Sequence, residues 1–332
     1  MQSHLDRFLN GLQINNKESI QKAILDLLIL DATSKDSSDV ALVGTTINEI
    51  LQSTKIFQDY RHIKKACIFG SARTKPDHPN YKMTVELSKK LNNINFMTIT
   101  GAGPGIMQAG NEGAGKENSF GLNILLPFEQ NSNPYIHGDP KLIDYKYFYT
   151  RKLAFIKESH ASIIFPGGFG THDEGFEVLT LIQTGRCAPR PIILIAHSES
   201  DYWEKWEEYV KVQLSDRHYI SPEDHDMFHV IHDTDEAIEK IQEFYKHYDS
   251  LRYIGNTCVM RINKPLKEST LKTLKETFKT ITMDSDFTQG DASIVAEDAD
   301  THDDKYRLIF PFDKVNYARL YAVIAKINSC EE

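Results

Sequence analysis

Apolar positions recur along the chain with two different periods. Up to about residue 60 they follow the helical repeat: Ile20, Ala23, Ile24, Leu27 and Leu28 form one stripe, and Val40, Val43, Ile47, Ile50 and Leu51 form another. No strand signal interrupts them, so a helical N-terminal extension is expected over residues 1–60. From Lys64 the pattern changes to short apolar runs separated by amphipathic segments. The runs are Ala66–Phe69, Phe96–Thr100, Gly121–Leu126, Ala161–Phe165 and Pro191–Ile195. The segments between them, such as Tyr81–Leu91, Thr171–Thr184 and Trp203–Leu214, have helical spacing. Such alternation predicts βαβ units and a Rossmann-like, doubly wound parallel sheet over residues 61–250.

After Leu251 the order changes again. Strands are expected at Cys258–Ile262, Ser293–Ala296 and Arg307–Phe310, with helices at Leu266–Ile281 and Val315–Ile327. These make a small α+β accessory unit over residues 251–332, and the acidic stretch 297–304 reads as a hairpin loop within it. That loop lacks the glycine and terminal glutamate of an EF-hand.

Composition narrows the choice of partner. The chain has 332 residues and a net charge of −9, with no basic block. Neither nucleic acid nor an anionic membrane surface is therefore an expected partner. Four cysteines, Cys67, Cys187, Cys258 and Cys330, form no CxxC pair, and no stretch nears the roughly 18 apolar residues of a membrane span. A cytoplasmic protein is expected. The spacing of His225 and His229 would suit a metal on a helix, but Pro222 and the run Met227–Ile231 argue for loop and strand. No metal site and no cofactor are expected.

Ligands of open α/β sheets bind beyond the carboxyl ends of the strands, so the loops after Phe69, Thr100 and Phe165 hold the candidate chemistry. The first is Gly70-Ser71-Ala72-Arg73. The second, Gly101-Ala102-Gly103-Pro104-Gly105, joins a strand to a helix, with Pro104 suited to the first helical turn. The third, Pro166-Gly167-Gly168-Phe169-Gly170-Thr171, is the most informative. Its glycines bare backbone amides, Thr171 can cap the following helix, and the helix start attracts an anion. Glu174 then has two readings. It can close a capping box with Thr171, or stand as a carboxylate one turn behind a bound phosphate, with Glu177 beside it. Arg151 and Lys152 follow Thr150, a candidate N-cap, in a first helical turn that disfavours cations. A bound anion or Glu174 would compensate them. Tyr145, Tyr147, Phe148 and Tyr149 either line a base-stacking pocket or belong to the core.

The pattern Pro166-Gly167-Gly168-Phe169-Gly170-Thr171-His172-Asp173-Glu174, preceded by Arg151-Lys152, resembles the Lonely Guy phosphoribohydrolases, a family long mislabelled as lysine decarboxylases. The resemblance spans about residues 64–245. It implies hydrolysis of the N-glycosidic bond of a purine nucleoside 5′-monophosphate, AMP or an N6-modified AMP of cytokinin type, to free base and ribose 5-phosphate. It also implies Arg151 and Glu174 as the catalytic pair and a homodimer or higher homo-oligomer. The implied phosphate and substrate site comprises Gly70, Ser71, Gly101, Gly103, Gly105, Lys152, Gly167, Gly168, Gly170, Thr171 and Glu177. A rival reading is a non-catalytic nucleotide or molybdenum-cofactor carrier. The retained Arg151 and Glu174 favour the enzyme. True lysine decarboxylation would need pyridoxal phosphate on a lysine, for which no lysine has a recognisable context.

Overall fold

The computed structural model describes residues 16–127, 131–295, 298 and 304–329. Two N-terminal helices, α1 (Lys17–Thr33) and α2 (Ser37–Phe57), precede the first sheet. Helix α1 buries none of its residues, and its apolar stripe stays largely at the surface. Helix α2 is anchored at its end by Phe57, which stacks on Phe120 at 4.4 Å.

The first sheet has seven strands: β1 (Lys64–Phe69), β2 (Phe96–Thr100), β3 (Ser119–Ile124), β4 (Leu142–Tyr145), β5 (Ala161–Ile164), β6 (Ile192–Ile195) and β7 (His229–Ile231). Their spatial order is β4-β3-β2-β1-β5-β6-β7, and every pairing is parallel. This is the expected Rossmann-like α/β sheet. Helices α3 (Pro79–Asn93), α4 (Ile106–Ala114), α5 (Phe148–Glu158), α6 (Phe169–Gln183), α7 (Tyr202–Tyr209) and α8 (Thr234–Phe244) cover it. Two apolar cores result. One contains Phe69, Ile99, Phe120 and Phe155; the other contains Ile68, Leu87, Ile163 and Ile241. The central strands are buried along nearly their whole length because both of their faces are covered. The order reverses between β1 and β5, which opens a crevice at their carboxyl ends.

A second, antiparallel sheet runs β10-β11-β9-β8, from β8 (Tyr248–Ile254), β9 (Thr257–Ile262), β10 (Thr288–Gly290) and β11 (Tyr306–Pro311). Helices α9 (Glu268–Thr277) and α10 (Arg319–Asn328) pack on it. The strand expected at Ser293–Ala296 is not found. Asp291 caps a 3₁₀ turn over Ala292–Ile294 instead, and the pairing strand lies earlier, at Thr288–Gly290. Ala296 and most of the acidic stretch lie outside the described residues, as does Cys330. Likewise the helix from Trp203 ends at Tyr209 and continues as a π turn over Val210–Ser215. Helix α10 docks on the first sheet's unit through the Tyr321 phenol, which donates to the Arg190 carbonyl at 2.8 Å. No helix among the described residues is long and apolar enough to cross a membrane.

Candidate active site

The three glycine loops converge, and Ser71 ties them together. Its backbone N–H donates to the Pro166 carbonyl at 3.1 Å, and its own carbonyl accepts from the Ile106 N–H at 3.1 Å. Close approach explains two of the glycines. A Cβ on Gly167 would stand 2.0 Å from Thr171 Oγ1, and one on Gly105, whose φ is +68°, would stand 2.3 Å from the Ser71 carbonyl. Gly168 and Gly170 instead face open space. Ala102 adopts a φ of +59° while fully buried, a conformation costing a side-chain-bearing residue about 1 kcal/mol or more. Asn133 holds that strained loop from outside. Its N–H donates to the Ala102 carbonyl at 2.7 Å, and its side-chain amide donates to the Gly103 carbonyl at 3.2 Å.

Together the loops bound a cleft of about 780 Å³. Gly70, Ser71, Gly101, Gly103, Arg151, Gly167, Gly168, Gly170, Thr171 and Glu174 all line it. Three of the expected residues do not. Gly105 serves as the N-cap of α4, Lys152 turns to the acidic side of the neighbouring helix, and Glu177 lies further along α6. The cleft also takes in residues to which the sequence assigned no role, notably Asn123, Phe155 and His172. Phe169, at 96% exposure, stands at its mouth. Of the four aromatics at 145–149, none lines the cleft. Tyr145 is core, and Phe148 lies under the Arg151 guanidinium at 5.1 Å.

Local capping differs from the sequence pattern. Helix α6 begins at Phe169 with Gly168 as its N-cap, and no side chain caps it. The Thr171-to-Glu174 capping box is therefore not formed, because the helix starts three residues earlier than the threonine would require. Similarly, α5 begins at Phe148 with Tyr147 as N-cap, which places Thr150 inside the first turn. Pro104 precedes the N-cap of α4 rather than entering its first turn.

Freed from capping, Glu174 is 6% exposed and has cations on one side. Lys152 Nζ lies 3.5 Å from its Oε2 and 2.8 Å from Asp173 Oδ2, while Arg151 Nη2 lies 3.9 Å from its Oε1. Burial pushes the Glu174 carboxyl above its ordinary value, and Lys152 and Arg151 oppose that shift. Burial likewise disfavours the Arg151 charge, which Glu174 and Asp173 support. Behind the loop, the Tyr202 phenol donates to the Gly167 carbonyl at 2.6 Å and lies 2.7 Å from His172 Nε2. A phenol has one hydrogen. With that hydrogen on Gly167, His172 must donate through Nε2, in keeping with burial holding its pKa below the usual value.

A parallel sheet with a glycine-lined crevice at its switch point and a buried carboxylate behind a bare helix start defines a Rossmann-like α/β protein with a candidate anion site. A family model described as "possible lysine decarboxylase" matches residues 105–241. That match covers under half of the chain, and it is to the family that the Lonely Guy resemblance names. Several solved structures are similar over part of the chain. The structural-genomics protein TM1055 is 19% identical over 55% of this chain and 99% of its own, with a TM-score of 0.40. A molybdenum cofactor binding protein from Rippkaea orientalis is 16% identical over 54% and 96%, at 0.40. The molybdenum cofactor carrier protein of Chlamydomonas reinhardtii is 17% identical over 55% and 97%, at 0.38. No curated protein matches the chain. The pyridoxal phosphate of a decarboxylase does not fit the cleft. Its described lining contains no lysine, and the Lys152 amine faces Asp173 and Glu174.

Proposed function

We propose that the chain hydrolyses the N-glycosidic bond of a purine nucleoside 5′-monophosphate, AMP or an N6-modified AMP, releasing the base and ribose 5-phosphate. The observation that carries this reading is Glu174: a buried carboxylate, flanked by Arg151 and Lys152, lining the cleft one turn behind the amides of Gly168 and Gly170.

The phosphate binds to the glycine loop and the start of α6, where unpaired amides and the helix dipole attract an anion. That contact is remote from the bond that breaks, so its binding energy positions the sugar. Departure of the base leaves an oxocarbenium-like ribose, which a nearby carboxylate stabilises while directing water to C1′. Glu174 takes that role. Arg151 orients the substrate and the carboxylate with its planar fork of donors. In solution the active form is a homodimer or higher homo-oligomer.

Incubating the purified protein with a panel of nucleoside monophosphates, and separating free bases and ribose 5-phosphate by chromatography, tests the reading. Base release by the wild type but not by Glu174→Ala is the expected result. A nucleotide that binds and returns intact would instead make the protein a carrier.

A further inference from the structure

Helix α2 lies outside the family-matched residues, yet it reaches the helix that carries Arg151. Glu49, 6% exposed, points its carboxylate at the start of α5. One oxygen accepts from the Lys146 N–H at 2.6 Å, and the other accepts from the Thr150 hydroxyl. Two further contacts tie α2 to α5 and to β4. The Thr46 hydroxyl and the Tyr149 phenol share a 2.7 Å hydrogen bond, and the Ser53 hydroxyl pairs with the Tyr145 phenol.

The start of α5 needs such help. Its N-cap, Tyr147, makes no side-chain cap, and two cations, Arg151 and Lys152, follow close behind the first turn, near the positive end of the helix dipole. Asp173 and Glu174 face those cations from α6. Glu49, on the other side, ties down both the residue before the N-cap, Lys146, and the Thr150 hydroxyl in the first turn.

We propose that Glu49 is a positioning residue for Arg151. Its carboxylate holds the first turn of α5 and thereby the guanidinium that faces Glu174, so the N-terminal helix is a working part of the active site. Glu49 does not line the cleft and touches no substrate. The assignment rests on the hydrolase reading for its kinetic consequence, although the two Glu49 hydrogen bonds stand apart from it.

The test uses full-length Glu49→Gln, which keeps the shape and one acceptor, alongside Glu49→Ala. Both are measured for kcat and KM on AMP and for hydrogen exchange of the segment 146–158. A roughly tenfold loss of kcat in Glu49→Gln, larger in Glu49→Ala, is expected, with KM within about twofold and faster exchange at the start of α5. Should Glu49→Ala fail to fold, Glu49→Gln decides alone. Unchanged kcat with unchanged exchange overturns the proposal, and so does a loss confined to KM. If the wild type itself releases no base, the hydrolase reading fails, and exchange alone decides whether Glu49 orders α5.

Discussion

Arg151 Nη2 stands 3.9 Å from Glu174 Oε1, within ionic reach but beyond a hydrogen bond. The carboxylate thus keeps lone pairs open to the cleft. Replacing it by an amide of the same shape removes the charge that stabilises an oxocarbenium-like ribose. Glu174→Gln is expected to lower kcat by about 10²- to 10³-fold with little change in KM. A steady-state comparison on AMP checks this.

The same substitution has an opposite effect on the fold. Burial raises the Glu174 carboxyl above its ordinary 4.5. Between that value and the raised one, the folded protein keeps a proton that the unfolded chain releases. Stability from this group is therefore full below the ordinary value and is lost as pH rises through the folded one. At neutral pH the ionised Glu174 costs stability, so Glu174→Gln should stabilise the protein by about 1 kcal/mol, a common trade at active sites. Urea unfolding at pH 7 and pH 4 would show the gain at the higher pH alone.

Activity follows the same group. The acid limb of kcat/KM should lie above the range of an exposed glutamate, because that limb reports the free enzyme's essential base. A pH profile with a limb at or below 4.5 would remove Glu174 from the role.

Glycines of one motif should differ sharply. Gly167→Ala puts a methyl against Thr171 Oγ1, whereas Gly170→Ala puts one into open space. Nucleotide affinity, read by calorimetry, should fall by at least about tenfold in the first, while the thermal midpoint of the second stays within about 2 °C.

Tyr202→Phe removes the 2.6 Å hydrogen bond to the Gly167 carbonyl and the acceptor for His172. The backbone of Gly167 then loses a support, costing about 1 kcal/mol. KM should rise about fivefold with kcat nearly kept, which places Tyr202 behind the loop and not at the reacting bond.

The sheet and the loops were legible in the sequence because their causes are local. Runs such as Phe96–Thr100 carry no charge and are mostly apolar, and glycine marks each loop where backbones crowd. Helix starts were misplaced for a local reason as well. Thr171 and Thr150 have the side chains of caps, but the glycine turn and the packing of α5 begin both helices earlier. Strand β4 escaped notice because four residues, one of them an exposed Asp144, give too brief a period. Glu49, Tyr202 and Asn133 were not legible at all. Each supports a loop or helix far along the chain, and no neighbouring residue marks it for that task.

The strand order has a consequence for biosynthesis. Strand β1 pairs with β2 on one side and with β5 on the other, and β5 is not made until residues 161–164. As the chain leaves the ribosome, β1 to β4 come first and leave the apolar edge Ala66–Phe69 open, a template for stray pairing. The nascent half-sheet is the species most in need of a chaperone, and the cleft, which needs the loop after β5, exists only once that edge has closed.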